Sequence, residues 1–199
     1  ISFFGGGTDL PSFYMSCDYG SVLSTSINSY IYVTVKKHTE LFAEKYRLQY
    51  SETELGEDFS KIKNPIIREC LRYLGITENI YISTIADAPG SSGLGSSSSF
   101  CVGLLLALYK YKGEDVSTAR LAKEAAHIEI DILKRPMGKQ DSYAAAFGGL
   151  NYFRFNDDQT VLIKPVSISE ENKKLLFDNM LSFWTGVARP SESILDEQN

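Results

Sequence analysis

The spacing of apolar residues predicts several helices along the chain. Apolar side chains that recur every three or four positions indicate one buried face of a helix. Pro65 stands at a favoured first helical position, Gly75 follows the end of the same pattern, and Ser117 is a suitable N-cap for a later helix. The predicted helices cover Asn64 to Leu74, Ser96 to Tyr111, Ser117 to Leu133, and Ser142 to Phe147.

Other stretches have the composition and alternation of strands. They are rich in β-branched and aromatic residues, which fit a half-buried pleated surface. Because strands and helices mix without a regular βαβ rhythm, we predict an α+β architecture. The predicted strands begin at Ile1 and continue with one or two strands in Ser21 to Val35, then Leu41 to Tyr50, Ile80 to Ile85, Leu150 to Phe155, Val161 to Val166, and Met180 to Trp184.

Composition and charge narrow the class of protein. With 199 residues, 43% of them apolar, the chain has the make-up of a globular protein. A net charge of −5 gives no basic field for nucleic acid, and no apolar run approaches the roughly 20 residues that span a bilayer. Three widely spaced cysteines predict free thiols rather than disulfides or a zinc site. We therefore expect a cytoplasmic protein that binds neither nucleic acid nor membrane.

A glycine-serine loop directly before the second predicted helix has the pattern of a phosphate cradle. Glycines let a ligand approach the backbone, and the first turn of a helix offers free N–H groups and the positive end of its dipole. Gly90 and Gly95 bracket four residues as in a Walker loop, but Ser96 stands where that motif has lysine. A flexible linker or simple capping serines are the alternatives. The predicted nucleotide-binding residues are Pro89, Gly90, Ser91, Ser92, Gly93, Leu94, Gly95, Ser96, Ser97 and Ser98.

Three carboxylates are candidates for chemistry at that loop. Glu129 and Asp131 lie on opposite edges of the apolar stripe of one helix, so periodicity alone leaves open which of them faces a site. Asp141 follows a turn-rich segment and precedes a run of small residues, where it could accept a hydroxyl proton or cap the short helix after it. His38 and His127 lack metal-binding spacing.

The beginning of the chain brings backbone and short polar side chains together. Groups of this kind bind sugar hydroxyls, although a simple turn with an aspartate cap is an equal reading of the local sequence. The residues concerned are Gly6, Gly7, Thr8 and Asp9, which follow Gly5.

Three segments in this order resemble the GHMP small-molecule kinases. They are ISFFGGGTDLP at the start, PGSSGLGSSSSF in the middle and RPMGKQDSYAAAFGG around Asp141. The middle segment marks the superfamily, whereas GGGTDLP together with GKQDSYAAAFGG is similar to the branch of D-glycero-D-manno-heptose 7-phosphate kinases.

That resemblance implies a fold and a set of roles. The expected fold is a domain like the second domain of ribosomal protein S5, over residues 1–175, followed at 176–199 by the start of a ferredoxin-like domain that continues beyond Asn199. The resemblance implies ATP and Mg²⁺ as cofactors, with Ser97 and Glu129 on the metal and Asp141 as the base. Gly6, Gly7, Thr8 and Asp9 would contact the sugar.

The implied reaction is transfer of the γ-phosphoryl group to the anomeric oxygen of a heptose 7-phosphate. A small-molecule sugar phosphate is then the expected partner, and assembly as a homodimer is a further expectation. The phosphate of such a substrate needs a cationic group, for which the candidates are Lys139, Arg154 and Arg189. The alternatives are a related kinase for galactose or fucose, or a sensor of sugar or nucleotide without catalysis.

Overall fold

The computed structural model describes residues 1–90 and 92–183 as a mixed structure of strands and helices. The described strands are β1 Ser2–Phe4, β2 Tyr19–Thr25, β3 Ile31–Lys37, β4 Tyr46–Gln49, β5 Thr53–Gly56, β6 Ile80–Ala86, β7 Leu150–Asn156 and β8 Val161–Pro165. The described α-helices are α1 Pro11–Tyr14, α2 Pro65–Tyr73, α3 Ser96–Tyr111, α4 Thr118–Ala126, α5 Gln140–Phe147 and α6 Glu170–Asp178. None of these helices is long and apolar enough to cross a bilayer.

The strands form two four-stranded sheets. The first has the order β1-β2-β7-β8 with antiparallel neighbours, and the second has the order β3-β6-β4-β5, in which β4 and β6 run parallel. Strand β2 ends at Thr25 in the first sheet and β3 begins at Ile31 in the second. The segment between them therefore connects the two sheets.

Two apolar clusters hold the helices on these sheets. The larger cluster packs α2, α3 and α4 against the second sheet, and Leu48, Ile82 and Leu104 lie fully buried in it. The smaller cluster packs α4 and α5 against the first sheet around Phe153 and Phe155. Because α4 contributes to both clusters, it connects the two halves of the core.

Local sequence signals placed the middle helices correctly. The Asn64 side chain accepts a hydrogen bond from the Ile67 N–H at 3.1 Å and caps α2. The Ser117 hydroxyl accepts from the Arg120 N–H at 3.3 Å and caps α4. Helix α3 has the predicted bounds. The α+β class is thus confirmed.

The predicted helix from Ser117 to Leu133 is not uniform. After Ala126 it continues as a π-helix over His127–Ile132. A π-helix contains more residues per turn than an α-helix, so it changes the directions in which its side chains point. This turn carries Glu129 and Asp131.

Some strand predictions are wrong. Only Tyr46–Gln49 of the predicted strand Leu41 to Tyr50 is extended in a sheet, and residues 180–183 form no strand, while Trp184 lies outside the described residues. Apolar side chains in these stretches, such as Leu41 and Leu181, are exposed rather than packed. The division at residues 175 and 176 stays a prediction.

Other elements escaped the pattern analysis. They are α1, β5, a 3₁₀ turn at Phe59–Lys61, and α6. Strand β5 carries Glu54, whose buried carboxylate accepts the N–H groups of Lys63 at 2.7 Å and Asn64 at 3.0 Å just before α2. Strand β5 was not predicted because its sequence is hydrophilic, although Glu54 gives it a structural role.

Phe153 provides a test of the smaller cluster. Its ring is fully buried, with the rings of Tyr143 and Phe147 at 6.3 and 6.4 Å between centroids. We expect Phe153→Ala to lower the free energy of unfolding by about 3–5 kcal/mol, because it leaves a cavity. Urea denaturation measures the loss. The matched control is Phe4→Ala, since Phe4 is 73% exposed, and its effect should stay within about 0.5 kcal/mol.

Candidate active site

The glycine-serine loop ends in a left-handed turn that opens α3. Gly95 is the N-terminal flanking residue of the helix with φ of +68°, and Gly93 has φ of +73°. Gly90 does not adopt a positive φ. The first-turn N–H groups of α3 have no carbonyl one turn earlier to bond with, so they are available to a ligand. A simple linker would not end in such a turn.

The rest of the loop differs in exposure. Pro89, Gly90 and Leu94 are exposed, whereas the Ser92 hydroxyl is buried without a hydrogen-bond partner among the described residues. Ser91 lies outside the described residues.

Glu129 meets the start of α3 with both carboxylate oxygens. Its Oε1 accepts a hydrogen bond from the Ser97 hydroxyl, and its Oε2 accepts one from the Ser98 hydroxyl at 2.6 Å. Glu129 and Ser98 are fully buried. The structure therefore brings together the two residues predicted to hold a metal, Ser97 and Glu129.

The π-helix decides between the two carboxylates of that turn. Glu129 points inward, whereas Asp131 is exposed and its Oδ2 lies 2.7 Å from His127 Nδ1. Sequence periodicity left this choice open because it assumes a regular α-helix.

Arg135 completes the cluster and was not identified from the sequence. Its Nη1 lies 2.8 Å from Glu129 Oε1 and 2.9 Å from the Ser97 hydroxyl oxygen. Its backbone N–H also bonds the Glu129 carbonyl oxygen at 3.0 Å. A cation six positions after a carboxylate is a weak signal, because the pairing depends on how the chain turns after the π-helix.

Asp141 lines the same cavity as the glycine-serine loop and lies beside the end of that loop. It is in the first turn of α5, where Lys139 rather than Asp141 is the flanking residue. A methyl group added at Gly95 would lie 3.2 Å from the Asp141 carboxylate, so the side chain faces the start of α3. Burial, followed by the charges of Asp9 and Glu129, raises the pKa of Asp141 to about 6.

Asp9 approaches the same place from the beginning of the chain. Its carboxylate is 2% exposed and accepts the backbone N–H of Gln140 at 2.8 Å. It lies flat against Gly138, where any side chain would collide with it. Burial raises the pKa of Asp9, and hydrogen bonds from backbone N–H groups partly oppose that rise. It does not cap the helix that follows it, since α1 has no side-chain cap.

The neighbouring residues of the first motif have different surroundings. Gly6 is exposed and Gly7 adopts φ of +86°. The Thr8 hydroxyl donates to the Gly5 carbonyl at 2.8 Å and accepts from the Ser21 N–H at 2.9 Å. Thr8 therefore fastens the glycine turn to β2.

A cavity of about 770 Å³ joins the loop to Asp141. Its polar wall includes Gln140, Asp141 and the serines that follow β2, and Ser24 Oγ and Gln140 Oε1 are buried there without a hydrogen-bond partner among the described residues. Its apolar wall includes Tyr30, Ile31, Leu94, Val102 and Leu106. The space is shaped for a ligand with an apolar end and a polar end.

Comparison with known proteins assigns a family to the centre of the chain. Residues 60–149 match the family described as GHMP kinases N terminal domain. They include the glycine-serine loop, Glu129 and Asp141. Residues 60–149 form a GHMP kinase N-terminal domain.

Curated relatives extend the match on both sides of the GHMP domain. The chain is 30% identical over 202 residues to D-glycero-alpha-D-manno-heptose 7-phosphate kinase of Campylobacter jejuni, covering 96% of this chain and 58% of that protein. It is 26% identical over 175 residues to mevalonate kinase of Saccharolobus solfataricus, covering 77% of this chain and 55% of that protein. The chain thus spans little more than half the length of these relatives.

A solved structure supports the same fold. A crystal structure described as a D-glycero-D-manno-heptose 1-phosphate kinase from Bacteroides thetaiotaomicron aligns with a TM-score of 0.76 at 26% identity. The alignment covers 86% of this chain and 58% of that one. The architecture of the described residues is therefore that of the GHMP kinases.

Two of the cations considered for a substrate phosphate, Lys139 and Arg154, do not line the cavity described above. The Lys139 ammonium donates to Gln159 Oε1 at 2.7 Å and stands 5.1 Å from the centre of the Tyr14 ring. The Arg154 guanidinium stacks on the Tyr19 ring at 3.9 Å. Arg189 lies outside the described residues.

The raised pKa of Asp141 predicts a pH-dependent cost in stability. The folded protein prefers the protonated carboxyl of Asp141. The contribution of this group to the free energy of unfolding is therefore fully present below the unfolded pKa of about 3.9, and it is lost as pH rises through about 6. We expect Asp141→Asn to raise the free energy of unfolding by about 1–2 kcal/mol at pH 8 and to have little effect near pH 4. Denaturant titrations across this range measure it.

Asp157→Asn is the matched control, because Asp157 is exposed in the turn between β7 and β8. An equal gain from both substitutions, or a gain from Asp141→Asn that does not change with pH, would contradict the interpretation.

Proposed function

We propose that the protein is an ATP-dependent sugar kinase that phosphorylates a heptose phosphate. The observation that carries this proposal is the cavity that the Asp141 carboxylate and the first turn of α3 both line. One side of it offers amide donors suited to phosphate, and the other offers a proton acceptor. A phosphoryl group held between them would face an acceptor hydroxyl, which is the arrangement that phosphoryl transfer needs.

The nucleotide would extend from α3 along the apolar wall. The free N–H groups at Ser96 and Ser97 and the positive end of the helix dipole favour the phosphates. Gly93 and Gly95 keep side chains away from the approach. Tyr30, Leu94 and Leu106 offer partly exposed apolar surface for an adenine ring.

Ser97 and Glu129 suit Mg²⁺ as donors. A hydroxyl and a carboxylate are hard oxygen ligands, and Mg²⁺ at a nucleotide commonly takes only one or two carboxylates with the phosphates supplying the rest. A bound Mg²⁺ would neutralise charge on the phosphates. Ser98 and Arg135 contact the same carboxylate and would hold its orientation.

Asp141 would act as the base. As the acceptor oxygen bonds to the γ-phosphorus, its hydroxyl proton passes to the Asp141 carboxylate and ADP leaves with the electrons of the broken P–O bond. A pKa of about 6 leaves this carboxylate ionised at neutral pH yet more basic than an exposed aspartate. Asp9, which accepts the backbone N–H of Gln140 at the start of α5, would bind another hydroxyl of the sugar and orient it.

The acceptor is proposed from the named relatives. Two of them carry heptose in their names, one as a 7-phosphate kinase and one as a 1-phosphate kinase. We place the new phosphate on the anomeric oxygen of D-glycero-D-manno-heptose 7-phosphate, which gives the 1,7-bisphosphate. A kinase for galactose or mevalonate is the competing assignment, since relatives with those names also match.

Substitution of the base separates a kinase from a sensor. We expect Asp141→Asn to lower kcat by about 10²–10⁴-fold, because the amide cannot take a proton, while the KM values change little. For the unsubstituted protein, kcat/KM should fall below about pH 6 as the carboxyl protonates. Coupled ADP release measures both. Asp157→Asn should have normal rates, and a kcat unaffected by Asp141→Asn would remove Asp141 from the mechanism.

A panel of acceptors tests the substrate. With saturating MgATP, we expect kcat/KM for heptose 7-phosphate to exceed that for the unphosphorylated heptose, galactose and mevalonate by at least about tenfold. The reason is that a hydrogen bond from a cation to the phosphate of the substrate is worth about 1.5–3 kcal/mol, and 1.4 kcal/mol corresponds to a factor of about ten. Phosphorus NMR of the product would locate the new ester. Faster turnover of galactose or mevalonate would reassign the acceptor and leave the kinase proposal intact.

A further inference from the structure

Arg135 occupies the space beside two oxygens of the proposed metal site. Its Nη1 contacts the two atoms that the proposed metal site uses, Glu129 Oε1 at 2.8 Å and Ser97 Oγ at 2.9 Å. The Glu129 carboxylate is fully buried, and the Arg135 side chain is 19% exposed. A buried carboxylate is costly unless a cation or hydrogen bonds compensate it. When no metal ion is bound, Arg135 supplies the compensating cation.

A divalent cation and this guanidinium cannot share the position. Mg²⁺ binds oxygen at about 2.0–2.1 Å, so an ion on Ser97 and Glu129 would stand against Arg135 Nη1. The two positive charges would repel each other strongly in a buried site. Arginine cannot relieve this conflict by losing its proton, because a guanidinium stays charged in proteins. The side chain must therefore move.

The geometry lets the side chain move without unfolding the turn. The Arg135 backbone N–H is bonded to the Glu129 carbonyl oxygen at 3.0 Å, which anchors the main chain independently of the guanidinium. The Ser98 hydroxyl continues to hold Glu129 Oε2. The arginine side chain itself is partly exposed.

We propose that Arg135 is a resident counter-ion of Glu129 that a divalent cation displaces when it binds. The inference rests on the proposed metal site at Ser97 and Glu129. It makes metal binding an exchange of one cation for another, so the guanidinium weakens the binding of metal to the chain without nucleotide. It also keeps Glu129 neutralised and the start of α3 in place when no metal is bound.

Arg120 offers a matched comparison. It forms a similar pair with the buried Glu124, with 2.8 Å between Nε and Oε1, and it also contacts the Tyr109 hydroxyl at 2.9 Å. That pair lies on α4 and does not include Ser97 or Glu129. Loss of Arg120 should therefore destabilise the fold without changing the affinity for a metal.

The test is a titration of the purified protein with Mn²⁺ in the absence of nucleotide, with free Mn²⁺ measured by electron paramagnetic resonance. We expect Arg135→Gln to bind Mn²⁺ about tenfold or more tightly than the unsubstituted protein, because the competing charge is gone. Its Tm without metal should fall, and Mn²⁺ should raise that Tm more than it raises the Tm of the unsubstituted protein. Arg120→Gln should lower Tm and leave the Mn²⁺ affinity unchanged.

Glu129→Gln separates this inference from the metal site itself. If Glu129→Gln loses Mn²⁺ binding and Arg135→Gln binds no more tightly than the unsubstituted protein, the metal site stands and the exchange is wrong. If Glu129→Gln binds Mn²⁺ normally, the metal site and the exchange both fall.

A measurement on the unsubstituted protein covers the case in which Arg135→Gln does not fold. The arginine side-chain Nε–H signal that Arg135→Lys removes from the NMR spectrum belongs to Arg135. Saturating Mg²⁺ should shift this signal, and the shift should be absent in Glu129→Gln. A signal that stays in place at saturating Mg²⁺ would overturn the exchange.

Discussion

The candidate site depends on the compensation of one buried carboxylate. Glu129 lies in the core of the molecule, where an unpaired charge would destabilise the fold. Its partners come from separate parts of the chain: Ser97 and Ser98 from the first turn of α3, and Arg135 from beyond the π-helix. Satisfying this single group therefore holds the first turn of α3 against the π-helix that follows α4. The direction of the free amides of α3 follows from that arrangement.

The position of Asp9 in the candidate site depends on the close approach of the turn after β1 to strand β2. The turn after β1 packs tightly on β2, since a side chain at Gly5 would collide with the Ser21 carbonyl and one at Gly20 with the Thr8 carbonyl. This packing delivers Asp9 to the start of α5, beside Gly138. Asp141 is then buried near two other carboxylates. Its pKa is raised for that reason, and such perturbed groups cluster at functional sites.

The parts of the structure that the sequence predicted are those determined by local chemistry. Helix α3 begins where a glycine in the left-handed conformation meets an apolar run, and α2 and α4 begin at side chains that cap them. Each of these signals acts within a few residues, so it does not depend on the rest of the fold. The three motifs of the GHMP resemblance also converge on one cavity and its immediate surroundings.

The predictions that were wrong or missing concern elements and site residues that depend on tertiary contacts. Helix α6 buries no residue and thus has no apolar stripe to detect, whereas Leu181 and Phe183 are apolar but exposed. Glu129 could not be chosen over Asp131 from periodicity, because the turn that carries them is not an α-helix. Arg135 escaped notice because its partners lie 38 and 6 positions away.

The π-helix at His127–Ile132 also bears on how this protein can vary in length. Removing a single residue there would convert the turn to an ordinary α-helix and rotate everything after it by about 100° relative to α4. Arg135 would then leave Glu129, and Asp141 would leave the cavity. By contrast, residues 39–45 form an exposed turn before β4, where insertions would disturb neither group. Insertions and deletions that preserve function should therefore be found in the surface turns and be absent from this stretch.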